Sequence, residues 1–368
     1  MLTASPYSLL FHSRPGSATA LRARNAVLCT SATPYADEYH VPVLCAEAVE
    51  WLISDPSGTY VDCTLGGGGH SAALLSELKP HGGHLISLDR DPDALDAASK
   101  RLKPYIASGH SSLVRSNFGS LPDALRTVRG GVFADGYGDG RLHGILLDLG
   151  VSSHQLDEGN RGFSYMNDGP LDMRMDQSLP AESALTADTI LNGWTDRDIA
   201  DVLWKYGEER ESRRIARAIV AARPLRTTAE LATLLKTAGS KREPKEVKRR
   251  SSRVFQALRI EVNQEMSELE SVLLAASRLV RPGGRIAVMS YHSLEDRRVK
   301  RLLRSGGFGD TPPPKDVYGN VLAPWLPLTR QAIVAGDAEL AANSRARSVR
   351  MRVAERTEHP PGLLGSDL

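Results

Sequence analysis

The sequence predicts an α/β fold, a doubly wound and mostly parallel sheet of the Rossmann type carrying an inserted α-helical unit. Three observations predict it. From His40 to Gly150, short β-branched or apolar runs alternate with segments of helical periodicity, the pattern of successive βαβ units. The first run ends in a glycine turn and the second in a carboxylate, as in folds that bind nucleoside cofactors at the carboxyl edge of a sheet. After Gly150 the strand signals stop, and helical segments follow to about Lys248 before a strand returns at Arg285. The helices are therefore spliced into the sheet rather than appended to it.

In chain order, a helix is expected near Cys45 to Ile53, then a buried strand over Tyr60 to Thr64. Gly66 to Gly69 make a strand-to-helix turn into a helix over Ser71 to Leu78; glycine lets the backbone take positive φ and approach a ligand without a side chain in the way. The strand beginning at His84 ends at Asp89, 20 residues past Gly69, where a carboxylate accepts the hydroxyl hydrogens of a ribose. Gly67-x-Gly69-x-x-Ala72 also satisfies the relaxed dinucleotide fingerprint, so up to this point NAD and S-adenosylmethionine (SAM) both fit. Strands follow at Ser111 and at His143, the latter ending at Asp148 and aiming that carboxylate at the same crevice.

The stretch from Arg161 to Asp176 is too polar and Gly-rich for a buried element yet carries Phe163, Tyr165 and Met166, which suits an ordered loop covering a site. A single amphipathic segment is expected from Ser251 to Val280, stopped by Arg281-Pro-Gly-Gly284 and followed by a strand over Arg285 to Ser290. Gly306 to Leu328 reads as a loop, and Arg345 to Ala354 as a last strand. The expected divisions are a leader at 1–37, the first part of the sheet unit at 38–152, the helical insertion at 153–249, the second part at 250–356 and a tail at 357–368.

With 368 residues, 41% hydrophobic and 24% charged, the chain supports a full α/β core and a smaller second unit. A formal net charge of +2 is too small to imply a polyanion partner, so that inference rests on local clusters. Cys29, Cys45 and Cys63 include no Cys-x-x-Cys pair, which argues against a zinc site and a disulfide framework and for a reducing compartment. No apolar run is long enough to span a bilayer. Before Asp37 there is no acidic residue, while Arg14, Arg22 and Arg24 stand among many Ser, Thr and Ala. Such composition predicts an organelle transit peptide; Val27-Leu-Cys-Thr-Ser31 favours a chloroplast over a mitochondrion, and a bacterial cytoplasmic protein is the alternative.

Longer motifs carry a resemblance. Leu146-Leu-Asp-Leu-Gly-Val-Ser-Ser153, Gln155-Leu-Asp157, Arg161-Gly-Phe-Ser164, Asp168-Gly-Pro-Leu-Asp-Met-Arg-Met-Asp176, Tyr206-Gly-Glu-Glu-Arg210 and His292-Ser-Leu-Glu-Asp-Arg297 together closely resemble the MraW/RsmH family, over about His40 to Arg356. The resemblance implies a class I SAM-dependent methyltransferase acting on the exocyclic N4 of a cytidine in the decoding region of small-subunit (16S-type) ribosomal RNA. It implies SAM as cofactor, with Gly68, Gly69 and His70 at the cofactor turn, Asp89 at the ribose, Phe118 beside the adenine, and Asp148 and Gln155 as further contacts. Two departures are visible: the turn is all glycine where many relatives carry an Arg, and His154 stands where a Pro is frequent.

A cytosine amine is conjugated and barely nucleophilic, so the reaction calls for an acceptor that binds its hydrogens. The Asn/Asp-Pro-Pro-Tyr motif of many amino-methyltransferases is absent after Asp148, which leaves Asp172, Asp176 and His292 as candidates. Arg210, Arg213, Arg214 and Arg217 fall at i, i+3, i+4 and i+7, one basic stripe on a helix. A second cluster runs from Lys241 to Arg253, with Lys241, Arg242, Lys245, Lys248, Arg249, Arg250 and Arg253 against only Glu243 and Glu246. Both suit phosphate contacts with ribosomal RNA, naked or in the assembled subunit. Phe163, Tyr165 and Tyr291 are candidates to stack on the target base. The oligomeric state is not legible in the sequence.

Overall fold

The computed structural model describes residues 42–128, 141–178, 180, 184–240, 243–309, 312–313, 315–319 and 321–361. The expected leader, Lys241, Arg242 and most of the tail lie outside the described residues.

The first half alternates as its periodicity dictates: α1 (Cys45–Leu52), β1 (Thr59–Asp62), α2 (Gly69–Leu78), β2 (His84–Asp89), α3 (Pro92–Arg101), α4 (Lys103–Ala107), β3 (Ser111–Arg115), α5 (Leu121–Thr127) and β4 (Leu142–Asp148). A short α6 (Ser153–Asp157) opens the insertion, which continues with α7 (Ala187–Gly193), α8 (Asp196–Gly207), α9 (Ser212–Ala221), α10 (Thr228–Ala238) and α11 (Pro244–Asn263). The chain returns to the sheet through α12 (Glu265–Leu279), β5 (Val280–Ser290), α13 (Ser293–Ser305), β6 (Trp325–Pro327), α14 (Asp337–Ala342) and β7 (Arg350–Arg356).

The strands form one sheet in the order β3-β2-β1-β4-β5-β7-β6. β1 to β5 are mutually parallel, while β7 runs antiparallel to both β5 and β6. Register places Val61 beside Ile86 and Ile145, and Ile145 beside Ile286. Because side chains alternate along a strand, these four fall in one apolar cluster with Leu125, Leu273 and Leu302 from α5, α12 and α13. Their neighbours Tyr60, Leu85, Leu146 and Ala287 fall in the other, with Leu52 and Leu75 from α1 and α2. Two faces, each covered by helices, explain why the strands read as continuous apolar runs. Gly144 is required on β4, since a Cβ there would lie 2.8 Å from the Tyr60 ring.

A third cluster belongs to the inserted helices, joining Phe163, Met173, Ile199, Leu203, Ile219, Leu231 and Leu258. It runs through to Val262, beyond the expected boundary at residue 249. The single segment expected over Ser251 to Val280 is two helices, broken where Gln264 takes φ 52°. Two other expectations fail. The stretch Gly306 to Leu328 holds β6, whose Trp325 is buried and donates its indole N–H to Ser277 Oγ at 2.7 Å. The last strand starts at Arg350 rather than Arg345, because Asn343 caps a 3-10 turn over Ser344–Ser348. Cys63 is a buried free thiol. Among the described residues no helix is long and apolar enough to cross a membrane.

Candidate active site

The chain moves outward from β1 to β3 on one side and from β4 to β5 on the other, so the strand order reverses between β1 and β4. Loops leaving the carboxyl ends of those two strands must diverge, and a crevice opens between them. It is a cleft of roughly 530 Å³ walled by the glycine turn, Asp89, Phe118, Asp148 and Tyr291, with Arg259, Met175 and the turn carrying Arg345 and Arg347 around it.

The glycine turn shapes its floor. Gly66 has φ +48° with no atom within 4 Å of where a Cβ would stand, so backbone faces open cleft. Its N–H donates to Asp89 Oδ2 at 2.8 Å, and the Asp91 N–H donates to Asp89 Oδ1 at 2.9 Å. Each oxygen keeps a lone pair for a further donor. Burial is the largest influence on Asp89 and pushes its carboxyl up to about 6. Gly69 also lines the cleft. Gly68 does not: at φ +79° it starts α2, and its missing Cβ makes room for Ala98, 3.2 Å away, on α3.

Opposite stands Asp148 at the end of β4. Its Oδ1 accepts from the Tyr291 hydroxyl at 2.8 Å, and its Oδ2 lies 3.6 Å from His70 Nδ1. His70 Nε2 is 2.9 Å from the carbonyl of Val43; a carbonyl only accepts, so Nε2 carries the hydrogen and Nδ1 is the nitrogen turned to Asp148. Burial raises the Asp148 carboxyl above its ordinary value, opposed by His70 and by the Tyr291 hydrogen bond. Beneath it Asp62, fully buried on β1, accepts from Ser71 Oγ at 2.7 Å and from the Thr64 N–H at 3.1 Å. Thr64 Oγ1 accepts the Asp148 N–H at 2.7 Å, which locks the two strand ends together.

Gln155 reaches the cleft wall but is committed there. Its Oε1 accepts from the Ser152 N–H in a capping box at the start of α6, and its Nε2 donates to Asp91 Oδ2 at 2.8 Å. Asp91 also receives Arg161 Nη2 at 2.9 Å, and that guanidinium holds the Met175 carbonyl at 2.8 Å. Through Arg161 the loop is ordered, as expected. Phe163, however, is buried in the helical cluster and Tyr165 packs edge-on against Phe255 at 5.6 Å, so of the three aromatics offered for base stacking only Tyr291 lines the cleft.

None of the three catalytic candidates lines it. Asp172 holds Arg174 with both oxygens, at 2.6 and 2.8 Å. Asp176 accepts from Arg115 Nη2 at 3.0 Å and from the Ser178 N–H at 2.9 Å. His292 caps α13, its Nδ1 facing the Glu295 N–H at 3.4 Å, while Glu295 Oε2 accepts the N–H of Tyr291. Its part is to seat the Tyr291 backbone. Glu265, His292 and Glu295 bring three potential ligand atoms within 4.8 Å of one another, but both Glu265 oxygens accept from Arg259, at 2.7 and 2.8 Å. That guanidinium already supplies the neutralising charge.

Of the basic residues, Arg210, Arg213, Arg214 and Arg217 are exposed on or beside α9. The groove beside Arg213 and Arg217 also contains Asp196 and Asp201, so the stripe is less purely basic than its spacing suggested. Lys248 and Arg249 are exposed on α11, Arg249 paired with Glu246 at 2.7 Å. Arg250 is buried, donating to the Leu235 carbonyl at 2.8 Å and lying 3.6 Å from Glu211. It is a structural residue of the helical core and not an RNA contact.

A model of the MraW methylase family matches residues 37–357. The chain belongs to the MraW methylase family. The ribosomal RNA small subunit methyltransferase H of Symbiobacterium thermophilum is 46% identical over 319 residues, 85% of this chain and 95% of that one. The protein of the same name from Paenibacillus sp. is 48% identical over 326 residues, 86% of this chain and 99% of that one. The cofactor is S-adenosyl-L-methionine. The residues present fit it: bare backbone at Gly66, a carboxylate with free lone pairs at Asp89 and an aromatic wall at Phe118.

Sequence reasoning missed Arg259, Met175 and the Arg345 to Ser348 rim. Asn343 followed by Ser and Arg was a readable cap signal for that rim. Arg259 had no local signal, because its partner Glu265 lies across a helix break.

Proposed function

We propose that this chain methylates the exocyclic N4 of a cytidine in the decoding region of small-subunit ribosomal RNA, in a chloroplast or, as the alternative, a mitochondrion. At the coarser level it is a SAM-dependent ribosomal RNA methyltransferase. The observation that carries the reading is the cleft at the β1/β4 reversal, which is lined by a ribose-competent carboxylate, Asp89, and across from it by a second carboxylate, Asp148. The first suits a nucleoside cofactor and the second suits an amine.

When bound, SAM supplies a methyl group on a sulfonium that is already a good leaving group. What remains for the protein is alignment and water exclusion, worth about 7–11 kcal/mol when the attacking atom is held in line. Asp89 takes the ribose, Phe118 flanks the base of the cofactor, and the Arg161–Asp91–Gln155 knot holds the covering loop in place. A decoding-region cytidine must be unpaired or splayed out to enter, where Tyr291 offers a ring to stack on. Arg210, Arg213, Arg217, Lys248 and Arg249 offer exposed charge for the flanking phosphates. The organelle reading rests on the leader composition; fusion of residues 1–37 to a fluorescent protein tests it, and diffuse cytosolic signal would remove it.

The experiment for the activity pairs calorimetric titration of purified protein with SAM and with NAD against methylation of small-subunit RNA, naked and assembled. SAM binding with transfer to one cytidine amine is expected. Binding of NAD instead, or SAM binding without transfer to either RNA form, overturns the proposal.

A further inference from the structure

With the candidates Asp172, Asp176 and His292 committed elsewhere, the acceptor for the amine hydrogens has to come from the cleft itself. Among the described residues, Asp89 and Asp148 are the carboxylates lining it. Asp89 is held by two backbone N–H groups on the ribose side. Asp148 stands across from it and retains 21% side-chain exposure, against 7% for His70 behind it. Its oxygens meet one side-chain donor, Tyr291, and one imidazole nitrogen that lacks a hydrogen in the neutral tautomer. At 3.6 Å that nitrogen is beyond hydrogen-bond distance, so among the described residues Oδ2 meets no side-chain donor and is open to one entering the cleft.

We propose that Asp148 is the hydrogen-bond acceptor for the target amine and takes its proton, with Tyr291 and His70 as the residues that position it. This rests on the methyltransferase reading above and assigns its missing group. The amine lone pair forms the new N–CH3 bond while the S–CH3 bonding pair stays with sulfur. One N–H proton then passes to Asp148 Oδ2 and leaves from there to solvent, so the product amine is neutral and the site is restored. Tyr291 fixes Oδ1 and is itself fixed by Glu295, which accepts its backbone N–H at 2.8 Å. Burial and the neighbouring carboxylates push the Tyr291 hydroxyl far up its scale, so it stays a donor throughout.

The charged groups around Asp148 set its titration. Burial, Asp62 on β1 and Glu295 on α13 raise it, while His70 on α2 and the Tyr291 hydroxyl lower it. Removing the hydroxyl deletes a lowering influence, so Tyr291→Phe moves Asp148 further up. Accepting a proton requires the ionised form, hence the acidic limb of the kcat–pH profile moves to higher pH.

The test uses the full chain in two readouts. The first is the infrared carboxyl band of Asp148, assigned by its loss in Asp148→Asn and titrated without SAM. The second is kcat against pH on small-subunit RNA, with SAM affinity measured by calorimetry. Tyr291→Phe, which removes one oxygen and keeps the ring, is expected to shift both the band and the acidic limb upward and to lower kcat about tenfold. Its SAM affinity is expected to stay within about threefold, since only a hydroxyl bonded to Asp148 is removed. Asp148→Asn is expected to lower kcat on the order of 10²–10⁴-fold. Tyr291→Phe with neither limb nor band moved, or Asp148→Asn with kcat kept above about a tenth, overturns the assignment. A wild-type chain that methylates no amine overturns the function itself; that result is distinct, because the band titration does not need turnover.

Discussion

On the proposed function, Asp89 sets the pH range in which the cleft takes the cofactor's ribose. Its carboxyl is raised to about 6 by burial, and ribose hydroxyls donate to the ionised form. SAM binding therefore favours deprotonation, and affinity is expected to be level above about pH 7 and to weaken toward about tenfold per unit well below the Asp89 value. Calorimetric titration across that range checks it; Asp89→Asn should bind more weakly and lose the contribution of this group. A second residue effect concerns stability. Arg161 and Asp91 are paired at 2.9 Å with side chains only 3% and 4% exposed, so Arg161→Met leaves a buried carboxylate without its cation at a cost of about 3–5 kcal/mol. Urea denaturation reads this directly, and an unchanged midpoint would mean that the pair contributes nothing. At this scale the sequence was legible where chemistry is local: the glycine turn and the acids at strand ends declare themselves by spacing. It misled where a side chain's partner decides its role, as with Asp172, whose oxygens are taken by Arg174 two residues on.

Among the elements, α11 shows what periodicity alone leaves undecided. Lys248, Arg249 and Arg250 are consecutive, yet the helix turns the third into the core while the first two face solvent. Arg250→Ala is expected to cost about 1–3 kcal/mol of stability, since it removes the side-chain donor to the buried Leu235 carbonyl. The double change Lys248→Glu and Arg249→Glu should leave stability within about 0.5 kcal/mol. It should also weaken RNA binding and flatten its dependence on salt, by about one unit of slope for each phosphate no longer neutralised. Denaturation and salt-dependent binding separate the two, and a loss of RNA affinity confined to Arg250→Ala would reverse the assignment. The parallel strands and their helices were readable because continuous apolar runs and amphipathic stretches recur in order. β6 was not, for three residues including Pro327 carry no period; it exists because β7 offers it an edge and Ser277 offers Trp325 a partner.

At the scale of the whole molecule, two cores meet over the cleft. The helical cluster is tied to the sheet unit by Arg161 on Asp91, and the covering loop is tied to α11 by Asn263, whose side chain accepts the Met175 N–H at 2.9 Å and donates to the Met173 carbonyl at 2.7 Å. Asn263→Ala leaves buried backbone groups unpaired, at about 1–3 kcal/mol, and should speed hydrogen exchange at Met175 before it disturbs β1 to β5. Equal protection in variant and wild type would show that the tie is not needed. That the insertion interrupts the sheet was evident from where strand signals stop; that its core extends to Val262 was not, since a helix broken by an αL residue at Gln264 looks continuous in sequence. On the proposed function, the cleft that the two cores jointly build takes a methyl donor beside an amine. Purified protein incubated with SAM and small-subunit RNA, followed by mass-spectrometric mapping of the modified nucleoside, tests this most directly. The expected result is one methyl group on the exocyclic N4 of a single decoding-region cytidine, absent with Asp148→Asn. A methyl group on a ring carbon or ribose, or no methyl group at all, would contradict it.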